Sequence, residues 1–137
     1  MTERQGYRGY IGTRPIMGDR VPQRVQNLVI RDYCQRKGLE FLLSAVEYTM
    51  PGCYMMLEHA LRELSNLEGL VMYSLFMLPE DAAYRRDVYR RVLDAGGTLH
   101  AALEGLVVAD DTGIARVEDI WVVQQTLSRF PPPTVEG

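Results

Sequence analysis

Two cysteines, two histidines and one tryptophan are all that 137 residues contain of these types, and each scarcity closes off a class of chemistry. Cys34 and Cys53 are not spaced as a CxxC pair, so neither a disulfide framework nor a zinc site is expected and both read as free thiols. His59 and His100 join no Asp/Glu cluster with ligand spacing, and no metal is expected. Gly6, Gly9 and Gly12 fit neither a GxGxxG fingerprint nor a Walker loop, so no cofactor follows from them. No apolar run approaches the roughly 18 residues of a membrane span, and the opening Met-Thr-Glu-Arg-Gln-Gly lacks the apolar centre of a signal peptide. A cytoplasmic location with no membrane contact is expected. Charge of one sign is also missing. A net charge of -3 and a pI near 5.4 point away from a protein that neutralises phosphates, so nucleic acid is not expected as a partner.

What is present is ordinary globular material, 47% hydrophobic and 24% charged, enough for one core. Residues 7–12 read as a first strand, interrupted by glycines where other backbone passes close. After a loop over 13–20, Pro22 opens a helix to about Lys37, with Val25, Leu28, Val29, Ile30 and Tyr33 as a broad apolar stripe and Gly38 as its stop. Residues 39–46 form a nearly continuous apolar run, the pattern of a central parallel strand. A turn at Thr49-Met50-Pro51-Gly52 leads to a second helix over 54–67, striped by Leu57, Ala60, Leu61, Leu64 and Leu67. The third strand covers 69–75. Pro79-Glu80-Asp81 opens a third helix that ends at Gly96-Gly97.

A fourth strand follows over 98–103 and a fifth over 106–109. Asp110-Asp111-Thr112-Gly113 reads as a turn, and 117–130 as an amphipathic helix burying Val117, Ile120, Trp121 and Leu127. Strands alternating with helices imply an α/β, three-layer sandwich with a mostly parallel sheet of four or five strands, flavodoxin-like in outline. One domain over 1–130 and a flexible Pro-rich tail over 131–137 are expected. In such sheets ligands sit beyond the carboxyl ends of the strands.

The residues at those ends are therefore the candidates. Thr13, Arg14, Asp19, Arg20, Gln23, Gln26 and Asn27 follow the first strand. Guanidinium groups beside a helix N-terminus suit an anion, and the alternative is that Arg14 and Arg20 pair with Asp19, Glu47 or Glu80 and brace the loop. Glu47, with Tyr48 beside it, closes the second strand and is the candidate general acid or base. Its alternative is a carboxylate that bonds backbone or arginine. Cys53 and Tyr54 lie beyond the turn. Ser74 follows the third strand, Glu80 and Asp81 suit the first turn of a helix, and His100 and Glu104 flank the fourth strand. The basic run Arg85-Arg86-Asp87-Val88-Tyr89-Arg90-Arg91 reads as a solvated helix face.

Five segments carry a family resemblance: Arg8-Gly9-Tyr10-Ile11-Gly12-Thr13-Arg14-Pro15, Val21-Pro22-Gln23-Arg24-Val25-Gln26-Asn27, Ile30-Arg31-Asp32-Tyr33-Cys34, Glu47-Tyr48-Thr49-Met50-Pro51-Gly52 and Val71 to Pro79. Over about residues 8–108 the chain resembles the small "sporadic carbohydrate cluster" proteins, encoded among bacterial sugar and surface-polysaccharide genes. The resemblance implies a carbohydrate-related role without defining a reaction. The order of elements and the strand Gly97-Thr98-Leu99-His100-Ala101-Ala102-Leu103-Glu104 also resemble the catalytic domain of serine recombinases. There a nucleophilic serine ends the first strand and an Asp-Arg-Leu-x-Arg motif follows the third. Here Thr13 and Arg14 stand near the first position and Ser74-Leu75-Phe76-Met77-Leu78 replaces the second, so the resemblance implies the fold and leaves the strand-exchange arginines out.

The leading expectation is a small enzyme of carbohydrate biosynthesis acting on an anionic sugar or sugar phosphate. Glu47, Thr13, Tyr48 and Ser74 are its candidate catalytic residues, and Arg14, Arg20, Gln23, Gln26, Asn27, Tyr54, Glu80 and Glu104 its candidate substrate contacts. The alternatives are a non-catalytic scaffolding subunit using Trp121 as a contact and, more remotely, a DNA strand transferase. Self-association is expected from the apolar terminal helix.

Overall fold

The structure is a computed structural model that describes residues 4–13, 15–16, 18–48 and 52–129. Arg14, the turn at residues 49–51 and the tail 131–137 lie outside the described residues. The strands are β1 (Tyr7–Gly12), β2 (Phe41–Glu47), β3 (Gly69–Met72), β4 (Thr98–Ala101) and β5 (Leu106–Val108). The helices are α1 (Gln23–Lys37), α2 (Met55–Arg62), α3 (Ala82–Asp94) and α4 (Asp111–Arg129), with 3-10 turns at Glu63–Asn66 and Leu75–Met77. The sheet runs β2-β1-β3-β4-β5. Its first four strands are parallel and β5 returns antiparallel on β4, which is the mostly parallel α/β sheet read from the sequence.

The strand order corrects one expectation. The apolar run after Gly38 becomes β2 at the edge of the sheet, and β3, buried at all four positions, sits inside. The run misleads because Leu43 points to water, 76% exposed, where β2 carries one residue more than β1 between Arg8 and Gly9. At this irregularity the Arg8 guanidinium donates to the Leu43 carbonyl at 2.8 Å. Gly9 is required there, because a Cβ would lie 2.2 Å from Ser44 Oγ.

Helix faces are also shifted from their reading. The buried side of α1 is Gln26, Ile30, Tyr33 and Cys34, while Val25 and Leu28 are exposed. The Asp110-Asp111-Thr112-Gly113 turn is the opening of α4, its Asp110 carboxylate accepting from the Gly113 N–H at 2.9 Å. Leu127, expected to be buried, is exposed. Arg85, expected on a solvated face, is 1% exposed. Its guanidinium donates to both oxygens of Glu118 at 2.8 and 3.1 Å and lies 4.3 Å from the centre of the Trp121 ring. Tyr89 donates to the same carboxylate at 2.7 Å. Burial raises the carboxyl pKa, but the hydrogen bonds from Arg85 and Tyr89 outweigh it and hold Glu118 below the ordinary carboxylate range. Arg86 and Arg90 do face solvent.

Two buried polar groups set where β1 ends. Gln26, fully buried, accepts from the Gly12 N–H at 3.0 Å and donates to the carbonyls of Gly12 at 2.7 Å and Val21 at 2.8 Å. One amide thus ties the last residue of β1 to the first turn of α1. Glu47, 2% exposed, accepts from the N–H groups of Met56 and Leu57 in the opening turn of α2 and from the Tyr10 hydroxyl. A carboxylate at that position offsets the positive end of the α2 dipole.

At the opposite end of the sheet, His100 is 7% exposed, with the Tyr33 hydroxyl 2.7 Å from Nδ1 and the Thr98 hydroxyl 3.0 Å from Nε2. Burial, reinforced by the Lys37 charge, lowers its pKa to about 4.

Three outcomes follow from this packing. Below the unfolded value of about 6.5 the unfolded chain takes up the imidazole proton before the folded one does, so stability falls with pH across that window. Urea unfolding should show a loss of about 2 kcal/mol between pH 6.5 and pH 5, and His100→Phe should abolish that part of the slope. Gln26→Leu should cost about 2–4 kcal/mol, because it strands two buried backbone groups of Gly12. Arg85→Met leaves the buried Glu118 carboxylate with only the exposed Arg86 guanidinium, 4.0 Å away, and should cost about 3 kcal/mol in the same assay.

Candidate functional site

Strand order reverses between β1 and β3, since the chain steps from β1 out to β2 and then returns across β1 to β3. The carboxyl ends of these two strands therefore flank the crevice where ligands of open α/β sheets bind. Ile16, Asp19 and Val21 line a cavity there with Tyr73 and Ser74. Ile16 and Asp19 exchange backbone hydrogen bonds of 2.8 and 3.0 Å, closing a tight turn whose Gly18 has a φ of +83°, a conformation that favours glycine.

Each helix beginning nearby is closed by an oxygen, with one exception. Glu47 serves the first turn of α2, Asp81 accepts from the Tyr84 N–H of α3 at 2.9 Å, and Asp110 serves α4. The turn at Leu75–Met77 is closed by Ser74, whose hydroxyl accepts from the Phe76 N–H at 3.2 Å. α1 begins at Pro22 with no side-chain cap and no acidic residue in its first turn. Its leading N–H groups and the positive end of its dipole face an open end. Thr13, Arg20, Val21, Pro22 and Gln23 line a cavity of 260 Å³ beside it. Arg20 and Arg24 are exposed, and neither forms an ion pair among the described residues. The result is a helix N-terminus with a hydroxyl and two guanidinium-bearing residues around it, a setting for an oxyanion.

The residues singled out in the sequence fall into three groups. Thr13, Arg20 and Gln23 come together at the α1 cavity. The Thr13 N–H donates to the Glu47 carbonyl at 3.0 Å, which fixes the residue against the end of β2. Ser74 and Glu104 meet in a second cavity of 220 Å³ that also reaches Ile16 and Asp19. There the Ser74 hydroxyl donates to one Glu104 oxygen at 2.7 Å and the Leu75 N–H to the other at 2.9 Å. The remaining residues are engaged or placed elsewhere. Gln26 and Glu47 hold the joints described above, Asn27 accepts from Ser44 at 2.7 Å, Tyr48 points outward, and Tyr54 packs edge-on against Tyr84 at 5.5 Å. Glu80 lines a third and larger cavity of 490 Å³ with Trp121 and Gln125. Among the described residues no group of three His, Cys, Asp or Glu side chains could hold a metal ion, and no helix is long and apolar enough to cross a membrane.

Sequence reasoning missed Arg24, Phe76, Gln124 and Ser128 as lining or flanking residues. Trp121, Gln124, Gln125 and Ser128 stand at i, i+3, i+4 and i+7, so one helix face carries all four, and this spacing was available to find them.

No family model and no curated protein matches the chain. Two solved structures share its fold. The chain is similar to a resolvase family site-specific recombinase from Streptococcus pneumoniae, with a TM-score of 0.62 at 12% identity, over 90% of this chain and 91% of that one. It is also similar to the N-terminal catalytic domain of TP901-1 integrase, with a TM-score of 0.56 at 13% identity, over 91% of this chain and 99% of that domain. These likenesses correct two expectations drawn from the sequence. The carbohydrate enzyme with its sugar substrate finds no support. The exclusion of nucleic acid, which rested on net charge, conflicts with the recombinase and integrase domains that the chain resembles across nine-tenths of its length. The structure has the fold of recombinase catalytic domains.

Proposed function

We propose that this chain acts on DNA, gripping a strand by a backbone phosphate at the open N-terminus of α1. The observation that carries the reading is the uncapped first turn of α1, with Arg20, Arg24 and the Thr13 hydroxyl around it, at the sheet position where ligands of this architecture bind. Recombinases of the same fold act on DNA strands, and a phosphodiester is the anion such a site would meet on DNA. Net charge does not weigh against this. Whole-chain charge sets a long-range field, whereas a phosphate contact depends on the few groups within a Debye length of about 10 Å.

Strand transfer needs a nucleophile, and Thr13 supplies a hydroxyl at the carboxyl end of β1, in the same cavity as Arg20. A threonine there attacks through Oγ1 at phosphorus as the bond from phosphorus to the sugar oxygen breaks, its hydroxyl proton passing to that leaving oxygen, so that the bond energy is kept in a protein-linked phosphodiester.

Fluorescence anisotropy with labelled DNA, titrated at several salt concentrations, tests the reading. Binding should weaken linearly in log–log form with added salt, and Arg20→Ala and Arg24→Ala should each reduce the slope by about 1. Thr13→Ala should keep salt-sensitive binding with a smaller loss of affinity than either arginine variant, yet lose any covalent adduct trapped on nicked DNA and resolved on a denaturing gel. No binding to any DNA at low salt would sink the proposal.

A further inference from the structure

The cavity of 490 Å³ plays no part in gripping a phosphate. It lies between Pro15 and Gly18 on one side and the outer half of α4 on the other. Its size is that of a small-molecule site. Its walls are aromatic and amide in character: Phe76, Trp121, Gln124, Gln125 and Ser128, with Glu80 as the charged lining residue. Phe76 stands edge-on to Trp121 at 5.2 Å between ring centres, which leaves Phe76, half-buried, as the accessible ring. Trp121 is held from behind by the Arg85 guanidinium. Its indole N–H is buried with no acceptor among the described residues.

These walls specify an occupant. Among the described residues the lining carries a carboxylate and no cation, which disfavours a phosphate or another anion. Glutamine amides carry donors and acceptors side by side, Ser128 adds a hydroxyl that does both, and Glu80 accepts from amino groups. Together with an accessible phenyl ring, this set suits a flat, uncharged heterocycle edged with carbonyl and amino groups. Thr13 and Arg20, near Pro15 and Gly18 in the chain, line the α1 cavity. We infer that the cavity between Phe76 and α4 takes an unpaired nucleobase of the strand whose phosphate sits at α1. The inference rests on the DNA reading, and it adds that the strand must present a base outside a duplex stack, so single-stranded or locally opened DNA is preferred.

Trp121 is the sole tryptophan and lines the cavity, so its emission reports occupancy directly. The full chain would be titrated with adenosine, cytidine and thymidine, which lack phosphate, and with a short single strand beside an abasic strand carrying the same phosphates. The expected result is a change in Trp121 emission with at least one nucleoside, and about tenfold or tighter binding of the normal strand relative to the abasic one. Gln124→Ala and Phe76→Ala should erase both effects while leaving abasic binding unchanged. Gln125→Ala, at an exposed position where folding is not at stake, should weaken the base effect alone. Equal, salt-sensitive binding of both strands with silent nucleosides would overturn the base cavity and leave the phosphate grip standing. If neither strand binds, the phosphate grip fails, and the nucleoside arm still decides the cavity: an emission change lost in Gln124→Ala upholds it, and no change refutes it.

Discussion

The three hydrogen bonds of the Gln26 amide are the constraint on which the rest of the molecule depends. A β-strand entering a helix through a loop of ten residues would ordinarily leave both the loop and the strand end free to drift. Here a fully buried amide satisfies both backbone groups of Gly12 and the carbonyl of Val21, so the two ends of that loop are clamped to one side chain. The geometry of Thr13, Arg20 and the opening turn of α1 is inherited from that clamp. A buried polar group of this kind is stable only while every partner is in place, so the joint has one arrangement.

Acidic groups divide the carboxyl edge of the sheet into closed and open positions. Glu47 and Glu104 are spent on N–H groups of their own fold, and Asp81 and Asp110 close the helices they precede. Positive potential at those helix starts is thereby quenched within the protein. Among the described residues the start of α1 has no such carboxylate, and Arg20 and Arg24 beside it are exposed. An acidic chain can thus leave Arg20 and Arg24 without an ion pair among the described residues, its carboxylates being engaged at other helix starts and on other arginines.

Much of the fold was legible in the sequence, for physical reasons that also explain the failures. β1, the span of α1 and the stripe on α2 were readable because Gly, Pro and the spacing of Leu57, Ala60, Leu61 and Leu64 act locally. The position of β2 was not, because an unbroken apolar run is equally compatible with an edge strand when Leu43 sits at an irregularity of register. Arg85 was misread because its partner Glu118 lies 33 residues away, and burial of an ion pair is a tertiary fact with no local trace. The candidate site was legible in part. Thr13, Arg20 and Gln23 cluster as loop order suggested, whereas Glu47 and Gln26 were assigned outward-looking chemistry that their buried partners absorb. Polar residues at strand ends serve either purpose, and the choice depends on which backbone groups the fold leaves unpaired.

The irregular pairing of β1 with β2 has a consequence for how the molecule behaves in company. An outer strand with a straight row of free amides invites a neighbour's strand to add on, and sheets grow into aggregates by that route. At Leu43 the spacing of β2 is broken, and Arg8 takes up that residue's carbonyl from within the same sheet. The one-residue mismatch withholds the regular acceptor ladder an incoming strand would need. At the far side β5 is three residues long, too short to recruit much. Both margins of the sheet thus resist extension, and the protein can hold aromatic and apolar side chains near its working surface without inviting its own precipitation.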